Sequence, residues 1–149
     1  MGNGFGKDLD KIGKGPKLFD QVSRTIYLGE PHDLFTSTGK TYETANRTVF
    51  EFYIPEEYEL KVIDDHTLLI CGTLNMVYHY LYDYGTPSVS IKYVTDDEVD
   101  DLYIERYKHL KFLANELPEY QTKADEFYSQ LTDQQKNKLS MYTSIDRKM

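Results

Sequence analysis

At 149 residues, with 40% apolar and 28% charged side chains, the chain has the balance of a globular protein able to bury one substantial core. A single cysteine, Cys71, excludes an internal disulfide framework and points to a reducing compartment. No apolar stretch approaches the ~18 residues of a membrane span and no apolar run follows the start, so the expectation is no membrane and an intracellular location, cytoplasmic when made.

The net charge of −8 is unevenly placed. Residues 1–24 carry Lys7, Lys11, Lys14, Lys17 and Arg24 against Asp8, Asp10 and Asp20, so the rest of the chain is more acidic than the whole. Such a body repels phosphate backbones, which disfavours direct nucleic-acid binding and favours a basic partner surface. The segment 1–17 holds five of the nine glycines, interleaved with lysines, and only Phe5, Leu9 and Ile12 to bury. Glycine loses the most backbone entropy on ordering. Residues 1–17 are therefore expected to be a flexible arm when alone; the plain reading is a disordered terminus, the sharper one an arm that gains order on a neighbouring subunit with those three side chains as anchors. Residues 18–149 are expected to be one α+β domain.

In chain order, Pro16 can open a short helix with Leu18, Phe19 and Val22 on one face. Arg24–Gly29 reads as a strand. Glu30–Thr44 is rich in turn formers without clean periodicity and reads as a long loop. Thr48–Ile54 alternates with Phe50, Phe52 and Ile54 on one face. Tyr58–Ile63 places Tyr58, Leu60 and Val62 inward, and Asp64-Asp65-His66 turns the chain into the apolar run Thr67–Cys71. The stretch Gly72–Gly85 contains Tyr78, Tyr80, Tyr82 and Tyr84 at period two. A helix from Thr73 would instead align Leu74, Val77, Tyr78 and Leu81, but the aromatic and β-branched content favours a strand. Val89–Val94 follows, with Val89, Ile91 and Tyr93 inward. Short connections imply an antiparallel meander.

The last third is helical. Thr95-Asp96-Asp97-Glu98 is a capping-box pattern, followed by Val99, Leu102, Tyr103, Leu110, Leu113, Ala114 and Leu117 at helical spacing. Pro118 breaks that helix and opens another bearing Tyr120, Ala124, Phe127, Tyr128 and Leu131. Thr132-Asp133-Gln134-Gln135 starts a third, with Leu139, Tyr142 and Ile145. The predicted fold is α+β: an antiparallel β-meander of about five or six strands followed by two or three C-terminal helices packed on one face.

Motifs for chemistry are sparse. Thr38-Gly39-Lys40-Thr41 lacks the glycine that a phosphate-binding loop needs at position 34, where Leu34 stands, and follows no buried parallel strand. Asp33 with Glu59-Leu60-Lys61 resembles the acid and E-x-K core of a broad nuclease superfamily, which implies a magnesium ion on the two acids and Lys61 steadying the water. E-x-K is also what a half-exposed strand of alternating charges contains. His32, His66, His79 and His109 show no zinc spacing, and Cys71 has no basic sequence neighbour to activate it. No catalytic set, metal or cofactor is therefore expected.

Two features point to protein contact. The 14 tyrosines, with no tryptophan, suit interfaces as well as cores, and Tyr80 and Tyr82 lack the flanking cations that stacking on nucleic acid would require. Helix capping and solubility account for Asp96 to Glu98, Asp97 among them, but less well for Asp100 and Asp101, which lie past the first turn where the dipole fades. Asp97, Asp100 and Asp101 are candidates for a docking patch or a DNA-like negative surface. The texture, rich in Tyr, Asp and Lys without Trp, is similar to that of many proteins of phages and other mobile elements. The expected function is a non-enzymatic protein-protein interaction or assembly component, phage-like or virion-associated, in a homo-oligomer or larger assembly. Its partners would offer a basic or aromatic-accepting surface. The alternative is an acidic, DNA-mimic-like inhibitor of a host nucleic-acid-handling enzyme.

Overall fold

The computed structural model describes residues 17–83 and 86–148, with side chains described through 82 and from 86 to 142. The expectations for Phe5, Leu9, Ile12, Tyr84 and Ile145 lie outside these. Eight strands precede three helices: β1 (Phe19–Asp20), β2 (Thr25–Leu28), β3 (Thr36–Glu43), β4 (Thr48–Tyr53), β5 (Glu59–Asp64), β6 (Thr67–Cys71), β7 (Asn75–Asp83), β8 (Thr86–Val94), α1 (Asp96–Glu116), α2 (Glu119–Ser129) and α3 (Asp133–Lys148). The chain is α+β. It divides into two compact units, Met1–Val94 and Thr95–Met149, each with its own buried cluster.

In the first unit all pairings are antiparallel, in two four-stranded sheets of order β1-β2-β4-β3 and β5-β6-β7-β8. The second sheet is the anticipated meander; in the first, β4 lies between β2 and β3. One core joins them. Phe19, Ile26, Leu28 and Phe52 come from the first sheet, Ile54 from the link that follows it, and Leu60, Leu68, Ile70, Met76, Tyr78 and Tyr80 from the second. Each large apolar side chain so enclosed contributes about 1.5–3 kcal/mol.

The described residues 72–83 form no helix: β7 runs from Asn75 and pairs with both β6 and β8. Tyr78 and Tyr80 are buried, and Tyr82 packs half-buried on the same core. Tyr80 lies edge-on to Tyr82 and to Phe19, with ring centroids 5.9 Å apart in both pairs.

Four local expectations need correction. The segment 36–43 is a strand rather than loop; β3 is a polar, mostly exposed edge strand whose Tyr42 alone packs on the core. Leu18–Val22 is not helical: Phe19–Asp20 pairs with β2, and the Asp20 carboxylate accepts from Val22 N (2.8 Å) and Ser23 N (3.0 Å), fixing a turn that leaves Val22 exposed. In β5 the register shifts between Val62 and Asp64, which buries Ile63 and exposes Val62, since a bulge reverses side-chain alternation beyond it. Phe50, in the middle of β4, and Tyr93, the penultimate residue of β8, were expected to face inward, and both are exposed.

In the second unit, α1 begins at Thr95 with the full capping box: Thr95 Oγ1 accepts from Glu98 N (3.2 Å) and Glu98 Oε1 accepts from Thr95 N (3.0 Å). Ile104, Leu131 and Leu139 form the buried centre, flanked by Tyr103, Tyr107 and Phe127.

Candidate interaction surface

Of the acidic cluster on α1, Asp100 is buried while Asp96, Asp97 and Glu98 are exposed. Asp100 is 8% exposed; it accepts from Gln135 Nε2 (3.0 Å) and Gln134 Nε2 (3.1 Å). Gln135 is itself the reciprocal member of the α3 capping box. Its Oε1 accepts from Thr132 N (2.9 Å), and its N–H donates to Thr132 Oγ1 (3.1 Å). Lys138 bridges Asp97 (2.7 Å) and Asp101 (2.9 Å), and these two hydrogen-bonded carboxylates hold its ammonium above the usual lysine range. Asp97, Asp100 and Asp101 thus tie the start of α3 to the start of α1. Replacing Asp100 by Ala leaves the buried Gln135 amide without its acceptor, for an expected loss of about 1–3 kcal/mol. Asp100→Asn also loses stability, because its amide opposes one of the two glutamine NH2 groups. The exposed Glu105, 3.6 Å from Lys108, provides the control: Glu105→Ala changes stability by less than about 0.5 kcal/mol. Denaturant melts followed by circular dichroism compare the three.

Glu59 and Lys61 pair with each other at 3.8 Å on the edge strand β5, and Asp33 is exposed in the turn before β3. Among the described residues no group of three or more His, Cys, Asp or Glu side chains is placed to hold a metal ion. His79 Nδ1 lies 3.0 Å from Thr67 Oγ1. Burial raises the Cys71 thiol above its ordinary range. Among the described residues no helix is long and apolar enough to cross a membrane.

Glu51 is a buried carboxylate on β4. It accepts from Tyr27 Oη (2.9 Å) and Thr38 Oγ1 (2.7 Å), which satisfies a charge that would be costly alone. Burial and the neighbouring carboxylate push the Tyr27 phenol up to about 12. Tyr80 and Tyr82, read from sequence as contact residues, sit respectively in the core and against its margin. The Tyr80 hydroxyl donates to Asp65 O (2.9 Å).

Exposed apolar surface gathers elsewhere in the first unit. A cleft of about 390 Å³ is lined by Leu34, Tyr58, Gly72, Leu74 and Tyr93, with Glu57 at its rim. Leu74 is 63% and Tyr93 55% exposed. Four separate segments supply these residues. Leu34 stands in the β2–β3 loop, where the His32 ring stacks on Phe35 at 4.7 Å. Tyr58 lies just before β5, and Phe35 meets its ring edge-on at 6.5 Å. Leu74 is in the β6–β7 turn, and Tyr93 is the penultimate residue of β8. Gly72 shapes the floor: a Cβ there would stand 2.6 Å from Tyr58 Cδ1 and Cε1. Gly72→Ala therefore forces the ring to move, with an expected cost of about 1–3 kcal/mol by overpacking. A displaced Tyr58 spin system in NMR spectra checks the cause. No single stretch of sequence signals this cleft, because alternation alone assigned Tyr58 and Tyr93 to the core.

Comparison of the chain with protein-family models, with curated proteins and with solved structures gives no match.

Proposed function

We propose that the chain is a non-enzymatic assembly protein that associates with copies of itself, its N-terminal arm seating apolar anchors on a neighbour. The observation that supports this reading most is the open aromatic and aliphatic cleft at Leu34, Tyr58, Leu74 and Tyr93. Single exposed apolar residues are ordinary, but several converging on one concavity mark a contact site. Phe5, Leu9 and Ile12 are side chains of a kind such a cleft accepts, and the lysines around them suit an acidic body with Glu57 at the cleft rim. A phage-type structural or assembly component is the setting most in keeping with this arrangement.

The test is the mass of the protein in solution. Full-length protein is expected to form oligomers that dissociate when residues 1–17 are removed, and equally when Leu74→Asp places a charge in the cleft. Unchanged mass in both variants would defeat the proposal.

The second reading, an acidic inhibitor that imitates DNA, has less support. The carboxylates it would present at Asp97, Asp100 and Asp101 are engaged by Lys138, Gln134 and Gln135.

A further inference from the structure

The cleft at Leu34, Tyr58, Leu74 and Tyr93 is small, and its size and lining discriminate among the three apolar side chains of residues 1–17. Its volume of about 390 Å³ lies near the lower end of the ~300–1,000 Å³ of small-ligand pockets. That is room for one large side chain with its flanking backbone, not for a run of three anchors. The walls are two phenol rings and two leucines. The Tyr58 ring lies directly over Gly72, which has no Cβ to lift it, and it already takes the edge of the Phe35 ring. Aromatic rings gain from offset and edge-on contacts beyond the area they bury, so such walls favour a ring over an aliphatic side chain.

Charge and reach make the same selection. Among the described residues that line the cleft, Glu57 is the one that carries a charge, and it is exposed. Leu9 stands between Asp8 and Asp10, so seating it would bring two carboxylates towards Glu57. Phe5 stands between Gly4 and Gly6, which have no side chains to obstruct entry, and Lys7 follows two residues on as a partner for Glu57. Leu18 is buried in the core of its own copy, which fixes the point from which the segment leaves. At ~3.6 Å per residue, Ile12 reaches no more than about 18 Å from Lys17, whereas Phe5 reaches about 43 Å, enough to enter a neighbouring molecule.

Building on the self-association proposed above, we propose that Phe5 of one copy is the side chain that fills this cleft on a second copy, its ring between Tyr58 and Tyr93 and Lys7 paired with Glu57. Sedimentation equilibrium of full-length variants tests this. Phe5→Ala should weaken association about a hundredfold and Phe5→Leu about fivefold, the latter reading the aromatic preference of the walls. Leu9→Ala and Ile12→Ala should each weaken it by less than about threefold.

Mixing two variants distinguishes a second copy from the molecule's own cleft. Leu74→Asp keeps Phe5 but blocks the cleft, and Phe5→Ala keeps the cleft but lacks the ring. At a concentration where the unaltered protein is assembled and neither variant is, the mixture should form a heterodimer. A mixture that stays monomeric, Phe5→Leu as tight as the unaltered protein, or Leu9→Ala or Ile12→Ala matching Phe5→Ala would overturn the assignment of Phe5. The self-association reading would still stand if removal of residues 1–17 dissociated the oligomer. An unaltered protein that is monomeric at every concentration would overturn both. Should Leu74→Asp not fold, the Phe5, Leu9 and Ile12 series decides without it.

Discussion

Replacing Arg24 by alanine is expected to destabilise the sheet unit by about 3 kcal/mol, the largest loss from any single side chain outside the core. Arg24 ends the β1–β2 turn with φ 61°, in the left-handed region that a non-glycine residue enters at a cost. Its guanidinium donates through Nε to Ile54 O (2.9 Å) and through Nη2 to Pro55 O (2.6 Å) and Tyr58 O, while Arg24 O accepts from Ile54 N (2.8 Å). Those carbonyls belong to the link that carries the chain from the first sheet to the second, so one side chain holds the crossing between them. A lysine ammonium cannot span three carbonyls as the guanidinium fork does, and Arg24→Lys should fall between wild type and alanine. Arg24→Gly loses the same hydrogen bonds but relieves the backbone, and should be more stable than Arg24→Ala by about 1 kcal/mol. Urea melts followed by circular dichroism rank the four proteins. Equal stability of the glycine and alanine variants would show that the backbone conformation carries no cost. Because Tyr58 O is one of the three acceptors, Arg24→Ala should also disturb the Tyr58 wall of the cleft and weaken self-association.

The features that could be read from sequence are those with a local cause. Both capping boxes, at Thr95 and Thr132, depend on residues three apart, and the structure shows both. The tyrosine alternation of β7 survives because both neighbouring strands impose a period of two. Other features have causes distant in sequence. β3 lacks apolar periodicity because it only borders β4, and the Ile63 inversion depends on a bulge in the β5–β6 pairing. Asp100 and Asp101 stood out because the dipole of α1 could not account for them. Their reason lies more than thirty residues on, in Gln134, Gln135 and Lys138. The cleft was hidden for a related reason. Tyr93 has the parity of Val89 and Ile91, which pack on the core, yet it is exposed.

The hydroxyl of Tyr78 is expected to stabilise the sheet unit at neutral pH and to stop doing so in alkali. Beyond the two residues of β1, β2 has no strand on its outer side. There the phenol takes the place of a strand, accepting from Tyr27 N (3.3 Å) and donating to Tyr27 O (2.7 Å), which is nearer than Leu18 O at 3.0 Å. Tyr78→Phe keeps the ring and its edge-on contact with Phe19 at 6.2 Å but strands the two backbone groups, costing about 1–3 kcal/mol. Burial raises the Tyr78 phenol far above its ordinary value, and burial likewise raises Tyr80 and Tyr82. A phenol in the unfolded chain ionises near pH ~10. The folded state therefore retains protons that the unfolded state has lost. The resulting stability is complete below pH ~10 and falls as pH rises beyond it. Removing one such phenol should narrow the gap between Tyr78→Phe and wild type by about 1.4 kcal/mol for each pH unit above ~10. Urea melts at several alkaline pH values measure the gap, with tyrosinate absorbance recording ionisation. A gap that stays constant until the wild type unfolds would mean that the Tyr78 proton is not what links β7 to the open side of β2.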